Sequence, residues 1–343
     1  MRHFISFIFI VMVGVTIAYL QKTNESNKKR SLKVFGYTSF TGKWGPGPEL
    51  KKLFEKTCDC VLEYIDGSDS GILIQRLKIE GEGLGADVVI GVNQFDVARL
   101  QNDLKWREMT TSGVSFAPEV KDAVQPQFLP FDWGVLAFIS KKGNLPGDPK
   151  SLDDLTSPEL ARMFAFQDPR TSSPGLEFLV WLIREKGEDK AFEMVQSLMS
   201  LGHTFSGAWS TAYGLFTKGQ AKAAFSYTTS PTYHLIEEKS QEYYAIPFTE
   251  AHPLQVEYVG IPDFCNECEL AQKFVQFILQ PESQKIIMNK NYMYPAITNV
   301  ADNTAFANLR SLNIQTKFDQ IPAATIDQWL KRWSEVRKKV SDK

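Results

Sequence analysis

The hydrophobic pattern opens with an almost uninterrupted apolar run, Phe4 to Leu20, preceded by Arg2 and His3 and followed by the polar stretch Gln21 to Arg30. A short basic start, an apolar core and a polar exit describe a secretory leader, read here as residues 1–20, with Thr16-Ile17-Ala18 as a cleavage site. An uncleaved anchor is the alternative, because about 17 apolar residues is the lower limit for spanning a bilayer. Either way the body faces an extracytoplasmic compartment. After the leader, Ser31 to Tyr37 is predicted as a strand on the β-branched and aromatic character of Val34, Phe35 and Tyr37. Gly45-Pro46-Gly47-Pro48 punctuates, and Leu50, Leu53 and Phe54 give Glu49 to Thr57 helical spacing. Cys60 to Ile65 is a second strand, Ile72 to Glu80 a helix, and Ala86 to Gly91 a third strand. Alternating strands and helices imply right-handed crossovers in a parallel sheet, which binds ligands at the carboxyl ends of its strands. The loops after Tyr37 and Ile65 are therefore the places to look for contacts.

A second unit begins near Pro130. Trp133 to Ser140 is strand-like, Ser151-Leu152-Asp153-Asp154 opens a short helix, and Phe164 to Gln167 is another strand. Thr171-Ser172-Ser173-Pro174-Gly175 precedes a helix with Leu176, Leu179, Val180 and Ile183 on one face, and hydroxyl residues before a Pro mark a helix start. Ala223 to Tyr227 is a strand, and Ser230-Pro231 starts the next helix. Near Val256 the chain returns to the first unit: Leu270, Phe274, Phe277 and Ile278 form an amphipathic stripe broken by Pro281, and Thr325 to Val340 is a closing helix. The expected organisation is a first α/β lobe over 31–128, a second over 129–254, and a return to the first lobe with C-terminal helices over 255–343.

The composition, 43% hydrophobic and 23% charged in 343 residues, is that of an ordinary globular chain of roughly two domains. A formal charge of -2 with no basic stripe excludes a nucleic-acid binder, and no block of like charges would hold the chain on an anionic membrane. The four cysteines, Cys58, Cys60, Cys265 and Cys268, allow three disulfide connectivities in an oxidising compartment, local or joining the pairs. A zinc site fits poorly, since C-x-C is too short for a zinc knuckle. There is no G-x-S-x-G elbow, no H-E-x-x-H and no Walker A sequence, and His203, His234 and His252 are too spread to form a triad or metal site. No catalytic residue, metal or cofactor is expected.

What the chain has instead is aromatic residues beside hydroxyls and carboxylates at strand exits. Tyr37 and Trp44 flank the first exit with Thr38, Ser39 and Thr41 between them, and Asp66-Gly67-Ser68-Asp69-Ser70 follows the second strand. Trp209-Ser210 and the run Tyr227, Thr228, Thr229, Ser230 add rings and donors, and Tyr233 lies one helical turn beyond Thr229. Each alone is more easily explained by core packing; their recurrence at strand ends points to a pocket.

The stretches YTSFTGKWGPGP (37–48), FQDPRTSSPGL (166–176), AWSTAYGLFTKG (208–219) and SYTTSPTYHLIEEK (226–239) closely resemble the thiamine-binding periplasmic proteins of bacterial ABC importers. FLPFDWGVLAF (128–138) and NKNYMYPAITN (289–299) agree, so the resemblance covers essentially the whole mature chain. It implies a two-lobed type II periplasmic binding fold with the ligand cleft between the lobes, an inner-membrane permease with its ATPase as partners, and a monomeric receptor in the periplasm. Thiamine, its monophosphate or its diphosphate would be the ligand. The resemblance places ligand contacts at Asp69, Ser70, Ser172, Ser173, Trp209 and Tyr227 to Ser230, with Tyr37, Trp44, Tyr233 and Tyr292 as further walls. The family usually has Gly at the position of Ser70 and commonly Trp at that of Tyr292, so one aromatic surface is smaller here. In chemical terms, Asp69 would accept from the amino group or offset the ring charge, and Ser172 and Ser173 at a helix start would hold a phosphate. Tyr227 and Trp209 would sandwich a ring, with Thr228 to Ser230 as donors.

Two rivals share the architecture. A ferric-ion or small-anion binder would use paired tyrosines, and Tyr243-Tyr244 is such a pair, but neighbours on an extended segment point to opposite faces. A thiaminase-like transferase needs an activated cysteine in the cleft, and none of the four lies in these motifs. A scaffold without a ligand would not concentrate polar residues at strand exits.

Overall fold

A computed structural model describes residues 29–307, 312–315 and 321–342; the leader read at residues 1–20 lies outside them. The described strands are β1 (Arg30–Gly36), β2 (Cys60–Asp66), β3 (Val88–Asn93), β4 (Phe128–Lys141), β5 (Phe164–Gln167), β6 (Thr204–Ser206), β7 (Ala223–Tyr227), β8 (Tyr243–Ile246), β9 (Leu254–Gly260) and β10 (Tyr294–Pro295). The α-helices are α1 (Thr38–Thr41), α2 (Gly47–Cys58), α3 (Ser70–Glu80), α4 (Gln94–Asp103), α5 (Ser173–Lys186), α6 (Glu188–Ser200), α7 (Trp209–Thr217), α8 (Ser230–Glu237), α9 (Cys268–Ile278), α10 (Pro281–Asn291) and α11 (Ala323–Ser341). No helix among the described residues is long and apolar enough to cross a membrane.

In the first lobe β1 runs parallel to both β2 and β3, Val34 facing Tyr64 on one side and Val88 on the other. Leu32, Val34 and Phe35 are buried because α2 and α3 cover the sheet on its two faces, with Phe54 from α2 and Leu73 and Leu77 from α3 in the core. β9 then lies antiparallel between β3 and β4. Helix α4 escapes the apolar-period reading because its signal is a cap: Asn93 accepts from the Phe95 and Asp96 amides, and the Asp96 carboxylate answers to the Asn93 amide.

One strand joins the lobes. The first half of β4, Phe128 to Val135, pairs with β9, and the second half, Leu136 to Lys141, pairs with β7 and β8. The second sheet continues from β7 to β5 and β6. The expected boundary at residue 128/129 thus meets the start of a continuous strand, which crosses to the second lobe near Leu136. The second core gathers around Phe138, whose ring lies within 5.1–6.0 Å of those of Phe164, Phe166, Phe178, Phe225 and Phe248.

The return segment 255–343 divides. Helices α9 and α10 rejoin the first lobe, with Phe274 edge-on to Phe54 at 5.2 Å. Helix α11 instead packs Trp329 and Trp333 into the second lobe's core, where Trp329 Nε1 donates to Glu188 at 2.9 Å, while Asp327 pairs with Arg99 of the first lobe at 3.2 Å. It packs on both lobes, because its two tryptophans need an apolar surface that the second lobe, with α6, provides. Both disulfides are local, Cys58–Cys60 and Cys265–Cys268.

Candidate functional site

The cleft lies where the carboxyl ends of β1, β2 and β7 meet the starts of α3, α5, α7 and α8. Its inner chamber, about 170 Å³, is bounded by Tyr37, Asp69, Ser173, Trp209, Tyr227 and Glu257 among others. An outer chamber of about 500 Å³ opens beyond Trp209 toward Trp44, Tyr213, Tyr233, Glu237 and Tyr292. Ser39, Trp209, Ser210, Tyr227 and Asn291 border both, so the two form one cleft.

Asp69 closes the inner end. It caps α3, its Oδ1 accepting the Ser70 amide at 2.8 Å, while Oδ2 reaches across the cleft to accept the Trp209 amide at the start of α7, also at 2.8 Å. Burial raises its pKa; the two amides oppose this by stabilising the carboxylate. The lobes also touch through the Ser70 and Ser173 hydroxyls and through the Gly71 amide, which donates to the Thr171 carbonyl at 3.0 Å. Gly71 has to be glycine here, since a Cβ would stand 2.6–2.7 Å from the backbone of Arg170 and Thr171. The structure is therefore the closed arrangement of the two lobes.

Aromatic residues form the walls. Trp209 stacks on Tyr213, with centroids 5.2 Å apart and planes at 14°, and its Nε1 donates to Ser226 Oγ at 2.9 Å. Tyr213 is held in turn by a 2.8 Å hydrogen bond between its hydroxyl and His234 Nε2, and His234 stacks at 3.5 Å on Tyr243. At the outer lip Tyr292 donates to Glu237 at 2.9 Å and meets Tyr233 edge-on at 5.2 Å, and Trp44 stands 56% exposed at the rim.

Ten of the sequence-derived residues border the cleft: Tyr37, Trp44, Asp69, Ser70, Ser173, Trp209, Tyr227, Ser230, Tyr233 and Tyr292. Three do not. Ser172 is buried behind Ser173 with its amide bonded to the Asp168 carbonyl at 3.0 Å, because it is the cap of α5 and not part of the turn that faces the cleft. Thr228 gives its amide to Val135 at 2.8 Å, and Thr229 bonds through its hydroxyl to the Tyr292 carbonyl. The expected sandwich between Trp209 and Tyr227 is also corrected: their rings are tilted by 51° at 6.3 Å, so they form a corner, and the partner stacked on Trp209 is Tyr213. The histidines His203, His234 and His252 are all buried in packed surroundings. Tyr243 and Tyr244 part as strand neighbours do, one stacking on His234 and the other donating to Asp148 at 2.6 Å.

The floor of the inner chamber holds residues the sequence reading did not single out. Glu257 accepts from the Tyr37 hydroxyl at 2.6 Å and from Gln255 Nε2 at 3.1 Å, and Gln255 also donates to the Tyr227 hydroxyl at 2.7 Å. Asn291 joins Tyr37 to Asp132 with two 2.7 Å hydrogen bonds. The alternation in β9, Leu-Gln-Val-Glu-Tyr-Val-Gly, carries a signal: two polar residues on one strand face in a strand buried throughout must look into a polar cavity.

Two α/β lobes joined by one shared strand, closing on a cleft walled from both sides, define a solute-binding receptor. The sequence model of bacterial extracellular solute-binding proteins matches residues 49–312, and the chain belongs to that family. A thiamine-binding periplasmic protein of Escherichia coli strain K12 is 39% identical over 315 residues, covering 89% of this chain and 93% of that one. The protein of the same description from Brucella melitensis biotype 1 is 38% identical over 270 residues, 78% of this chain and 80% of its own. Among solved structures, a periplasmic thiamin binding protein superposes with a TM-score of 0.81 at 35% identity, covering 90% of this chain and 96% of that one. The fold is the two-lobed type II periplasmic binding fold.

Proposed function

We propose that this chain is the periplasmic receptor of a bacterial ABC importer, binding thiamine and its mono- and diphosphates as a monomer and passing them to the inner-membrane permease that its ATPase drives. It works by binding and release, without a chemical step. The observation that carries the reading is the combination of rings and acids: Trp209 and Tyr227 meet Asp69 and Glu257 around an inner chamber whose described lining contains no lysine or arginine. Such a chamber is suited to a flat cation, which an aromatic face attracts by about 0.5–2 kcal/mol before exclusion of water strengthens it. Thiamine supplies a cationic thiazolium and a flat aminopyrimidine. The starts of α5 and α7 and the hydroxyls of Ser39, Ser68 and Ser210 offer donors to an esterified tail. Its likeness to the thiamine-binding relatives over most of its length supports the same ligand.

Titration calorimetry with the three forms of the vitamin tests this, with a dissociation constant below about 1 μM expected for at least one, equivalent to about -8 kcal/mol. Absence of heat and of protection against thermal unfolding by all three would overturn the assignment. Trp209→Ala is expected to weaken binding at least tenfold, about 1.4 kcal/mol, since it removes both the wall shared by the two chambers and the surface stacked on Tyr213. Unchanged affinity would take Trp209 out of the contact surface.

A further inference from the structure

Asp132 on β4 and Glu257 on β9 face each other as direct register partners, next to a bulge in the pairing at Pro130/Asp132. Two like charges in that position repel. Asp132 is wholly buried and its Oδ1 has no hydrogen-bond partner, a deficit that one proton shared with Glu257 removes. Glu257 is the member of the pair that borders the inner chamber. The described groups around it are Tyr37 at the end of β1, Gln255 on its own strand, Asn291 at the end of α10, Tyr227 on β7 and Asp69 at the start of α3, and none is basic. An acid so placed lacks a positive partner until the ligand brings one.

We propose that Glu257, backed by Asp132, is a specificity-determining carboxylate at the floor of the cleft, accepting hydrogen bonds from an amino-bearing, cationic nitrogen heterocycle and releasing its proton to solvent as that ligand enters. The inference rests on the reading of the cleft as a thiamine site and adds to it a recognition residue and a proton linkage. Burial and the Glu257 charge drive the Asp132 carboxyl well above the ordinary range, so Asp132 keeps its proton. Burial pushes Glu257 up to about 7, against the hydrogen bonds from Tyr37 and Asp132. A cation bound beside Glu257 lowers that value, so protons leave on binding where the free carboxyl is still protonated. Affinity therefore rises with pH up to the free value and levels off above it.

Calorimetry of the wild-type protein with thiamine at pH 6.5, run in two buffers of different ionisation enthalpy, is expected to show release of roughly 0.5–0.8 proton, falling to about zero at pH 8.5. Glu257→Gln is expected to abolish the release and to weaken binding at least tenfold. Its melting profile serves as the check on folding. Wild-type binding without proton release, or release that persists in Glu257→Gln, overturns the proposal and leaves the thiamine assignment standing. No binding of thiamine by the wild type overturns both.

Discussion

Gly71→Val is expected to hold the cleft open and to cost at least about a hundredfold in ligand affinity, roughly 2.7 kcal/mol. The Gly71 amide donates across the cleft to the Thr171 carbonyl, and even a methyl group at Gly71 would stand 2.6–2.7 Å from the Thr171 and Arg170 backbone. Those atoms sit at the turn that leads into α5, with no flexible side-chain end to give way, so the lobes have to part. Apparent affinity falls in proportion to the closed fraction, so a closed population about a hundredth of the wild type's gives the hundredfold loss. Within its own lobe the change is mild, because Gly71 occupies the first turn of α3, where valine costs no more than glycine. Small-angle scattering with saturating ligand should show the wild type compacting and the variant keeping its open dimensions. A variant that compacts like the wild type would show that this contact does not govern closure.

The second large effect is on stability. Phe138→Ala is expected to cost about 3–5 kcal/mol, the range for deleting a fully buried phenylalanine. Phe138 has no exposed surface and touches five other phenylalanine rings, two from β5, one from α5, one from β7 and Phe248 beyond β8. Alanine leaves a cavity that rings on three elements and the segment beyond β8 cannot collapse into together. Because two lobes need not unfold as one, the loss is best read from urea unfolding followed by Trp181 fluorescence, since that indole stacks on Phe225 in the same core. A loss below about 1 kcal/mol would mean that the second core repacks far more freely than this interlocking allows.

These two sites differ in how visible they were. The core of the second lobe follows from apolar runs such as Phe164 to Gln167 and Ala223 to Tyr227, whose strand ends match the structure residue for residue. Asp69 and Ser230 were legible for the same local reason, because both stand at helix starts that announce themselves by composition, whereas Trp209 begins α7 without a side-chain cap and stands out only as a ring beside a hydroxyl. Thr228 and Thr229 share that composition but do not border the cleft, the Thr228 amide being taken by the Val135 carbonyl and the Thr229 hydroxyl by the Tyr292 carbonyl. Helix α6 was missed although Gly187 and the acids Glu188 and Asp189 mark its start, because its apolar stripe follows closely on that of α5.

Glu257, Asp132 and Asn291 were the hardest to see. Polar residues alternating with apolar ones in a strand normally mean a solvated face, and β9 has that pattern while every residue in it is buried. Only the closing of the second lobe over the first converts that face into the floor of a chamber.

The alternation of strands and helices, the two-lobed organisation, and the gathering of rings and hydroxyls at strand exits all follow from local pattern, because each of these is written in neighbouring residues. The tertiary structure decided that β4 serves both sheets, that α11 leans on the second lobe, that each disulfide stays within its own pair, that Trp209 stacks on Tyr213, and that Asp132 meets Glu257. Each of those outcomes depends on how surfaces pack in three dimensions, and local periodicity carries no record of which distant surface a side chain will meet.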